Sequence, residues 1–204
     1  MGNEKPLTGR RPLKSRTTNW AGAVTKVALK AGLTANQISF LGIVIAALGA
    51  WAILAAPQSL LLFVAGAAAI QLRLLANMLD GLIAVEGARG GPTGAIWNEF
   101  PDRLEDSLFL VAAGYASNLG WLGWLAALLA AVCAYVRLLG GTLGQTQDFG
   151  GPMAKPHRMA ALTMGCLVAA FWLPALPIAL GVIAAGTAVT IALRLARLSK
   201  ALRS

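Results

Sequence analysis

The chain has 204 residues, of which 57% are hydrophobic and only 12% are charged. Soluble domains carry about a quarter charged residues, and the hydrophobic residues here lie in long blocks, so the composition excludes an ordinary soluble domain. The formal net charge of +9 is concentrated in the first 30 residues, in two loops and at the carboxyl end. That distribution indicates membrane orientation and contact with anionic lipid headgroups, and it argues against nucleic-acid binding.

The amino-terminal part divides into two segments. Residues 1–17 are polar and basic and contain two prolines, which predicts a disordered segment. Residues 18–35 carry apolar residues at helical spacing with lysines on the other side, a pattern typical of an amphipathic helix lying in the membrane interface. A frayed linker is the alternative. Thr34 and Asn36 then offer capping oxygens to the helix that follows.

Residues 36–198 are predicted to form a transmembrane domain, which a basic tail at 199–204 follows. About 20 apolar residues cross the ~30 Å hydrocarbon core as a helix. The fold class is therefore an all-α integral membrane protein, with six transmembrane helices behind the amphipathic interfacial helix. The six runs, separated by turn residues, are 37–57, 59–85, 94–118, 119–141, 159–174 and 177–197.

The basic residues also predict the orientation of the chain. They flank the loops after the second and fourth runs and both termini, whereas the loops near 58, 119 and 175 carry no charge. Both termini are therefore expected on the cytoplasmic side, in a bacterial-type inner membrane, and the first run is expected to remain as an anchor. Cys133 and Cys166 both lie inside predicted helices, which argues against a disulfide framework or a cysteine metal site.

A narrow polar face marks each of the second and third predicted helices near the cytoplasmic end. Because a short connection makes these helices antiparallel neighbours, the two faces can meet. Carboxylates that converge at low dielectric need cations or protons between them, and Mg²⁺ prefers such oxygen ligands. The residues are Arg73, Asn77 and Asp80 on the second helix and Asn98, Asp102, Glu105 and Asp106 on the third.

Spacing alone leaves three interpretations of these faces open. They can form a metal site for phosphoryl transfer, a buried salt-bridge network neutralised by Arg73 and Arg103, or the proton or ion pathway of a transporter. Gly81 and Gly94 allow close approach of a bulky ligand, or close packing of two helices.

The spacing resembles the motif of the CDP-alcohol phosphotransferases, D-x-x-D-G-x-x-A-R, eight residues, then G-x-x-x-D-x-x-x-D. This chain reads NMLDGLIAV at 77–85, then Gly94, Asn98 and Asp102, with every spacing kept. The segment LTANQIS at 33–39 is also similar to the family's lead into its first helix. The resemblance covers essentially the whole chain.

The resemblance implies transfer of a phosphatidyl or other substituted phosphate group from a CDP-alcohol, such as CDP-diacylglycerol, to a small polar alcohol, with release of CMP. It implies one or two Mg²⁺ or Mn²⁺ ions and a homodimer. Asp102 is implied as the general base, and Gly81, Ala84 and Gly94 as the space for the nucleotide. Arg137 and Lys155 are implied as phosphate-binding cations, whereas Arg158 and Arg194 fit a phosphate site and ordinary positive-inside flanking equally well. The implied metal ligands are Asn77, Asp80, Asn98 and Asp102.

Three positions depart from the family motif. Asn77 and Asn98 stand where the family has aspartates, and Val85 stands where it has arginine. The asparagines halve the negative charge of the four motif positions. Glu105 and Asp106 are the acids that can compensate. The departures also make a catalytically degraded relative, acting as a lipid- or partner-binding membrane protein, the alternative to an enzyme.

Overall fold

The computed structural model describes residues 19–86 and 94–203, except for the side chains of 19–21, 84–86, 94–95 and 98. Residues 1–17, predicted to be disordered, lie outside the described part. Within the described ranges all regular structure is helical, with one 3₁₀ turn at Ala56–Gln58. The α-helices are α1 (Asn19–Lys30), α2 (Ala35–Ala55), α3 (Leu60–Glu86), α4 (Gly94–Ala116), α5 (Gly120–Thr142), α6 (Lys155–Ala169) and α7 (Ala175–Ala201).

Four stretches of the described chain are long and apolar enough to cross a membrane: 35–58, 60–83, 120–142 and 175–201. This confirms the all-α prediction and the presence of several membrane-length helices. α4 does not meet the same criterion because its first half carries the charged face. α6 has 15 residues, which is about 22 Å of helix and less than the hydrocarbon thickness. The count of six spans therefore stays a prediction.

The boundary of α6 differs from the predicted run at 159–174. The helix begins at Lys155, with Pro156 in its first turn, and ends at Ala169. Proline is accommodated in the first helical turn because its missing N–H has no intrahelical partner there. The sequence interpretation placed this polar start in a loop. The shift matters because it brings Lys155 to a helix start beside the polar cluster.

The start of α2 is fixed by a capping box. The Thr34 hydroxyl accepts from the backbone N–H of Gln37, and the Gln37 side chain accepts from the backbone N–H of Thr34 at 2.9 Å. Two amide groups that an isolated helix leaves unpaired are thereby satisfied. Thr34 is thus the cap, as predicted, while Asn36 lies exposed within the helix.

α2 packs against both α3 and α4, and α5 joins the bundle through α4 and α7. The α4–α5 connection turns at Asn118, whose φ of 57° is in the left-handed region. On either side of this turn the two helix backbones touch, at Gly114 of α4 and Gly123 of α5. A Cβ on Gly114 would lie 2.7 Å from the Cα of Gly123, so neither position has room for a side chain. The contact fixes α4, and with it the charged face, against the apolar α5.

Candidate active site

The polar faces of α3 and α4 meet around Arg73, whose side chain is fully buried. Its guanidinium contacts three carboxylates of α4. Nε donates to Glu105 Oε2, while Nη2 lies 2.9 Å from Asp106 Oδ1 and 3.1 Å from Asp102 Oδ1. Further along α3, Asn77 contacts the earlier position Asp102, so the two helices run antiparallel as predicted.

Asp102 is held by cations and an amide on both of its oxygens. Oδ1 accepts from Arg73 and from the Asn77 side-chain amide. Oδ2 forms an ion pair with Lys155 and lies 3.6 Å from Arg103 Nη2. Lys155 thus reaches across from α6, so the structure places this predicted site residue directly on the predicted general base.

Asp80 has a different environment. It is 4% exposed, and its Oδ2 accepts a hydrogen bond of 2.8 Å from the Ser39 hydroxyl on α2. Its Oδ1 is buried without a side-chain donor among the described residues, and the backbone N–H of Gly81 also interacts with the carboxylate. A buried carboxylate oxygen without a partner is costly, and a bound cation is one way to satisfy it. Ser39 was not among the predicted site residues, although it ends the lead-in segment 33–39.

Glu105 and Asp106 were predicted as acids that compensate for the lost aspartates. The structure brings both into the cluster, but their charges face arginines. Glu105 is paired with Arg73, and Asp106 lies between Arg73 and Arg158, at 3.5 Å from the latter. The buried salt-bridge network that the sequence left open is therefore present, beside the residues of the motif.

Arg137 forms a second polar centre on α5, where it is 8% exposed. Its guanidinium lies 2.5 Å from Glu99 Oε2 and donates to Gln147 Oε1 at 2.7 Å. It also lies over the Phe149 ring, 5.1 Å from the centroid. Arg103 connects this centre to the first because it contacts both Glu99, at 3.0 Å, and Asp102.

A cavity of about 330 Å³ lies beside Arg137, between the end of α5, the loop after it and α7. Arg194 also lines it, but its hydrogen bonds go to backbone carbonyls, at 2.9 Å to Gly150 and 3.0 Å to Cys133. Arg194 therefore ties the loop to the bundle. Arg158 likewise donates to a backbone carbonyl, that of Met153. These bonds give both arginines a structural role.

A metal ion requires several oxygen ligands that converge on one point. Among the residues that the structure describes, no group of three His, Cys, Asp or Glu side chains is placed to hold one. Asp80 fits a hard cation because it is buried and one of its oxygens lacks a described side-chain donor. The Asn98 side chain and the surroundings of Ala84 and Gly94 lie outside the described residues, so the four-oxygen ligand set stays a prediction.

Three further residues that the sequence analysis named lie in described helices. Gly81 lies in α3 directly after Asp80 and is buried. Cys133 and Cys166 are both buried and free, as expected from their positions in apolar helices.

The fold and the site together define the class of protein. It is a helical bundle with membrane-length helices, and acidic and amide side chains of α3 and α4 meet in one cluster. No protein-family model matches the chain. Among curated proteins it is 29% identical over 178 residues to the phosphatidylinositol phosphate synthase of Mycobacterium marinum, covering 82% of this chain and 74% of that protein. It is 28% identical over 183 residues to the synthase of Mycobacterium tuberculosis, covering 82% of this chain and 80% of that one.

Solved structures show the same fold. The crystal structure of the Mycobacterium tuberculosis phosphatidylinositol phosphate synthase in complex with manganese and citrate has a TM-score of 0.76 at 23% identity, covering 87% of this chain and 88% of that one. The structure of that synthase with CDP-DAG bound also has a TM-score of 0.76, covering 89% and 94%. Phosphatidylinositol phosphate synthase is a CDP-alcohol phosphatidyltransferase, so the resemblance to the CDP-alcohol phosphotransferases is confirmed.

Proposed function

We propose that this protein is a metal-dependent membrane transferase that moves the phosphatidyl group of CDP-diacylglycerol to a small polar alcohol and releases CMP. The observation that carries the proposal is the contact of the two motif faces in a chain with this fold: Asn77 of α3 contacts Asp102 of α4, and the buried Asp80 lies one turn beyond Asn77 on α3. The relatives' names make an inositol phosphate the first acceptor to test.

In the proposed reaction the acceptor hydroxyl attacks the phosphorus attached to the lipid, and the bond from that phosphorus to CMP breaks. Asp102 accepts the hydroxyl proton, and the groups that contact its oxygens hold the carboxylate in place. Lys155, which reaches Asp102 from α6, supplies positive charge where phosphate oxygens would lie. Arg137, beside the cavity, is the candidate for holding an anionic acceptor.

Asp80 is the main metal ligand in this proposal, with the oxygens of Asn77, Asn98 and Asp102 as the other motif ligands. A Mg²⁺ or Mn²⁺ ion held by these residues would neutralise charge on the diphosphate of the donor. Gly81 and Ala84 are the positions that, from the resemblance, would leave space for the nucleotide. The support is the buried Asp80 oxygen that lacks a described side-chain donor, together with the manganese in the solved relative.

We propose further that α2 to α7 all span the membrane, that α1 lies in its interface, and that both termini and the site are cytoplasmic in a bacterial inner membrane. α1 leaves Val27 exposed while Ala28 is buried against the bundle, as an interfacial helix requires. A homodimer is also proposed, from the resemblance. The small residues of α4 and α5 do not add support for it, because Gly114 and Gly123 pack against each other within the chain.

Purified protein with radiolabelled CDP-diacylglycerol tests the transferase. CMP release should require both an acceptor and Mg²⁺ or Mn²⁺, and it should be lost in Asp102→Asn while the thermal unfolding of that variant stays cooperative. Reactions without acceptor and with a chelator are the controls. If no inositol phosphate, glycerol phosphate, serine or other small alcohol supports CMP release, the transferase proposal fails and a non-catalytic relative replaces it.

A further inference from the structure

Arg73 and Lys155 carry positive charge at a position where the motif has lost negative charge. Two of the four motif aspartates are asparagines, and Arg73 lies one helical turn before the first of them, Asn77, on the same face of α3. We propose that the Arg73 guanidinium and the Lys155 ammonium replace a second divalent cation at Asp102, so that the site binds one metal ion per chain, at Asp80. The inference rests on the proposed function and deepens it.

The first argument is the charge balance of the cluster. Three carboxylates and three cations form a connected set of ion pairs, and a fourth cation, Arg103, lies 3.6 Å from Asp102 while it also pairs with Glu99. The carboxylates of the cluster are those of Asp102, Glu105 and Asp106, and the cations are Arg73, Lys155 and Arg158. A divalent ion added here would leave an uncompensated charge of +2 at low dielectric, which burial strongly disfavours. The arrangement is therefore complete without a metal.

The second argument is the coordination of Asp102 itself. Its Oδ1 accepts from Arg73 and Asn77, and its Oδ2 faces Lys155 and Arg103. A carboxylate has about four acceptor positions, two on each oxygen. Donors of the chain already lie at both oxygens, so Asp102 has little capacity left for a second ion.

The third argument is the contrast with Asp80. Its donors are neutral, namely the Ser39 hydroxyl and the backbone N–H of Gly81, and among the described residues it forms no ion pair, since Lys155 pairs with Asp102. One uncompensated buried carboxylate calls for one cation. The two acids retained from the motif are therefore not equivalent. Asp80 requires an external ion, whereas the positive charge at Asp102 comes from side chains of the protein, Arg73 and Lys155.

An arginine differs from a metal ion in a way that can be measured. The guanidinium remains protonated and cannot dissociate, so the charge at Asp102 persists in a chelator. Apo protein should consequently retain a folded α3–α4 cluster, and Mn²⁺ should bind with a stoichiometry of one.

The test counts Mn²⁺ per chain by electron paramagnetic resonance and by calorimetric titration, on protein in detergent without substrate. The wild-type count should be one, and Asn77→Asp, which keeps Arg73, should also bind one ion. The double variant Arg73→Leu with Asn77→Asp removes the guanidinium and restores a carboxylate, and it should bind two. Arg73→Lys, which keeps the charge, should bind one.

Two outcomes overturn the inference: a wild-type count of two, or a folded double variant that still binds one ion. If the double variant does not fold, the counts for wild type and Asn77→Asp decide. The counts need no turnover, so they separate this inference from the proposed function. If the protein binds two ions and releases CMP, this inference is refuted and the proposed transferase function stands. If it binds one ion and releases no CMP, the inference stands and the proposed function is refuted.

Discussion

Ser39→Ala removes the one hydrogen bond that a described side chain donates to Asp80. The Ser39 oxygen lies 2.8 Å from Asp80 Oδ2 and 3.1 Å from the Ala35 carbonyl. The hydroxyl has one proton, and an ionised carboxylate is the stronger acceptor of the two. A hydrogen bond to a charged group contributes about 1.5–3 kcal/mol, or roughly 10- to 150-fold in an equilibrium constant. Loss of a hydrogen bond that orients a metal ligand typically weakens metal binding by about 10- to 100-fold.

The expected result is therefore a Kd for Mn²⁺ that rises about 10- to 100-fold in Ser39→Ala. Because the change acts on the ligand and not on Asp102, kcat for CMP release should recover at saturating Mn²⁺. Calorimetric titration gives the Kd, and CMP release at several Mn²⁺ concentrations gives the recovery. Ser117→Ala is the matched control, since the Ser117 hydroxyl bonds only to backbone carbonyls of α4. A Kd for Ser39→Ala within twofold of the wild-type value would refute the assignment of Asp80 as the metal ligand that Ser39 supports.

Three further predictions concern packing, the loop after α5 and the acceptor. Gly123→Val should destabilise the fold by about 1–3 kcal/mol, because a Cβ there meets backbone atoms of α4. Thermal unfolding in detergent measures this loss. Gly181→Val is the control, because a Cβ at Gly181 meets nothing within 4 Å. Arg194→Leu should cost about 1–3 kcal/mol, because the loop carbonyl of Gly150 loses its donor while the helical Cys133 carbonyl keeps its backbone partner. Limited proteolysis should then cut the loop, and an uncut loop would contradict the role of Arg194 as an anchor. Glu99→Gln removes a negative charge that Arg137 now pairs with, so KM for an inositol phosphate should fall by about fivefold, a change of about 1 kcal/mol. KM for an uncharged alcohol should stay constant, and an equal change for both acceptors would argue against the electrostatic explanation.

The meeting of the polar faces was predictable because it depends on two regularities. The helical period places Arg73, Asn77 and Asp80 on one face, and a short connection makes successive helices antiparallel. The pairing of individual groups was not predictable in the same way. The sequence interpretation offered Arg73 and Arg103 together as neutralising residues, whereas Arg103 lies closer to Glu99 than to Asp102. Such choices depend on rotamers and on distances of a few tenths of an ångström.

Ser39 shows a second limit of the sequence. A serine in an apolar helix usually bonds to its own backbone and carries no functional signal. Its contact with Asp80 joins residues 41 positions apart and exists only because α2 packs against α3. The similarity of segment 33–39 to the family's lead-in was the one available indication. The start of α6 was missed for a local reason, since Pro156 was interpreted as part of a loop and not as a first-turn residue.

The contact between Gly114 and Gly123 has a consequence for how the chain enters a membrane. The first half of α4 carries the charged residues of the cluster, so this helix by itself is a poor substrate for insertion into lipid. α5 is apolar and meets the criterion for a spanning helix. Because the backbones of α4 and α5 touch on either side of the turn between them, we expect the two helices to insert together as a hairpin. A glycosylation-mapping assay should find that the α4 segment integrates when α5 follows it and fails to integrate alone.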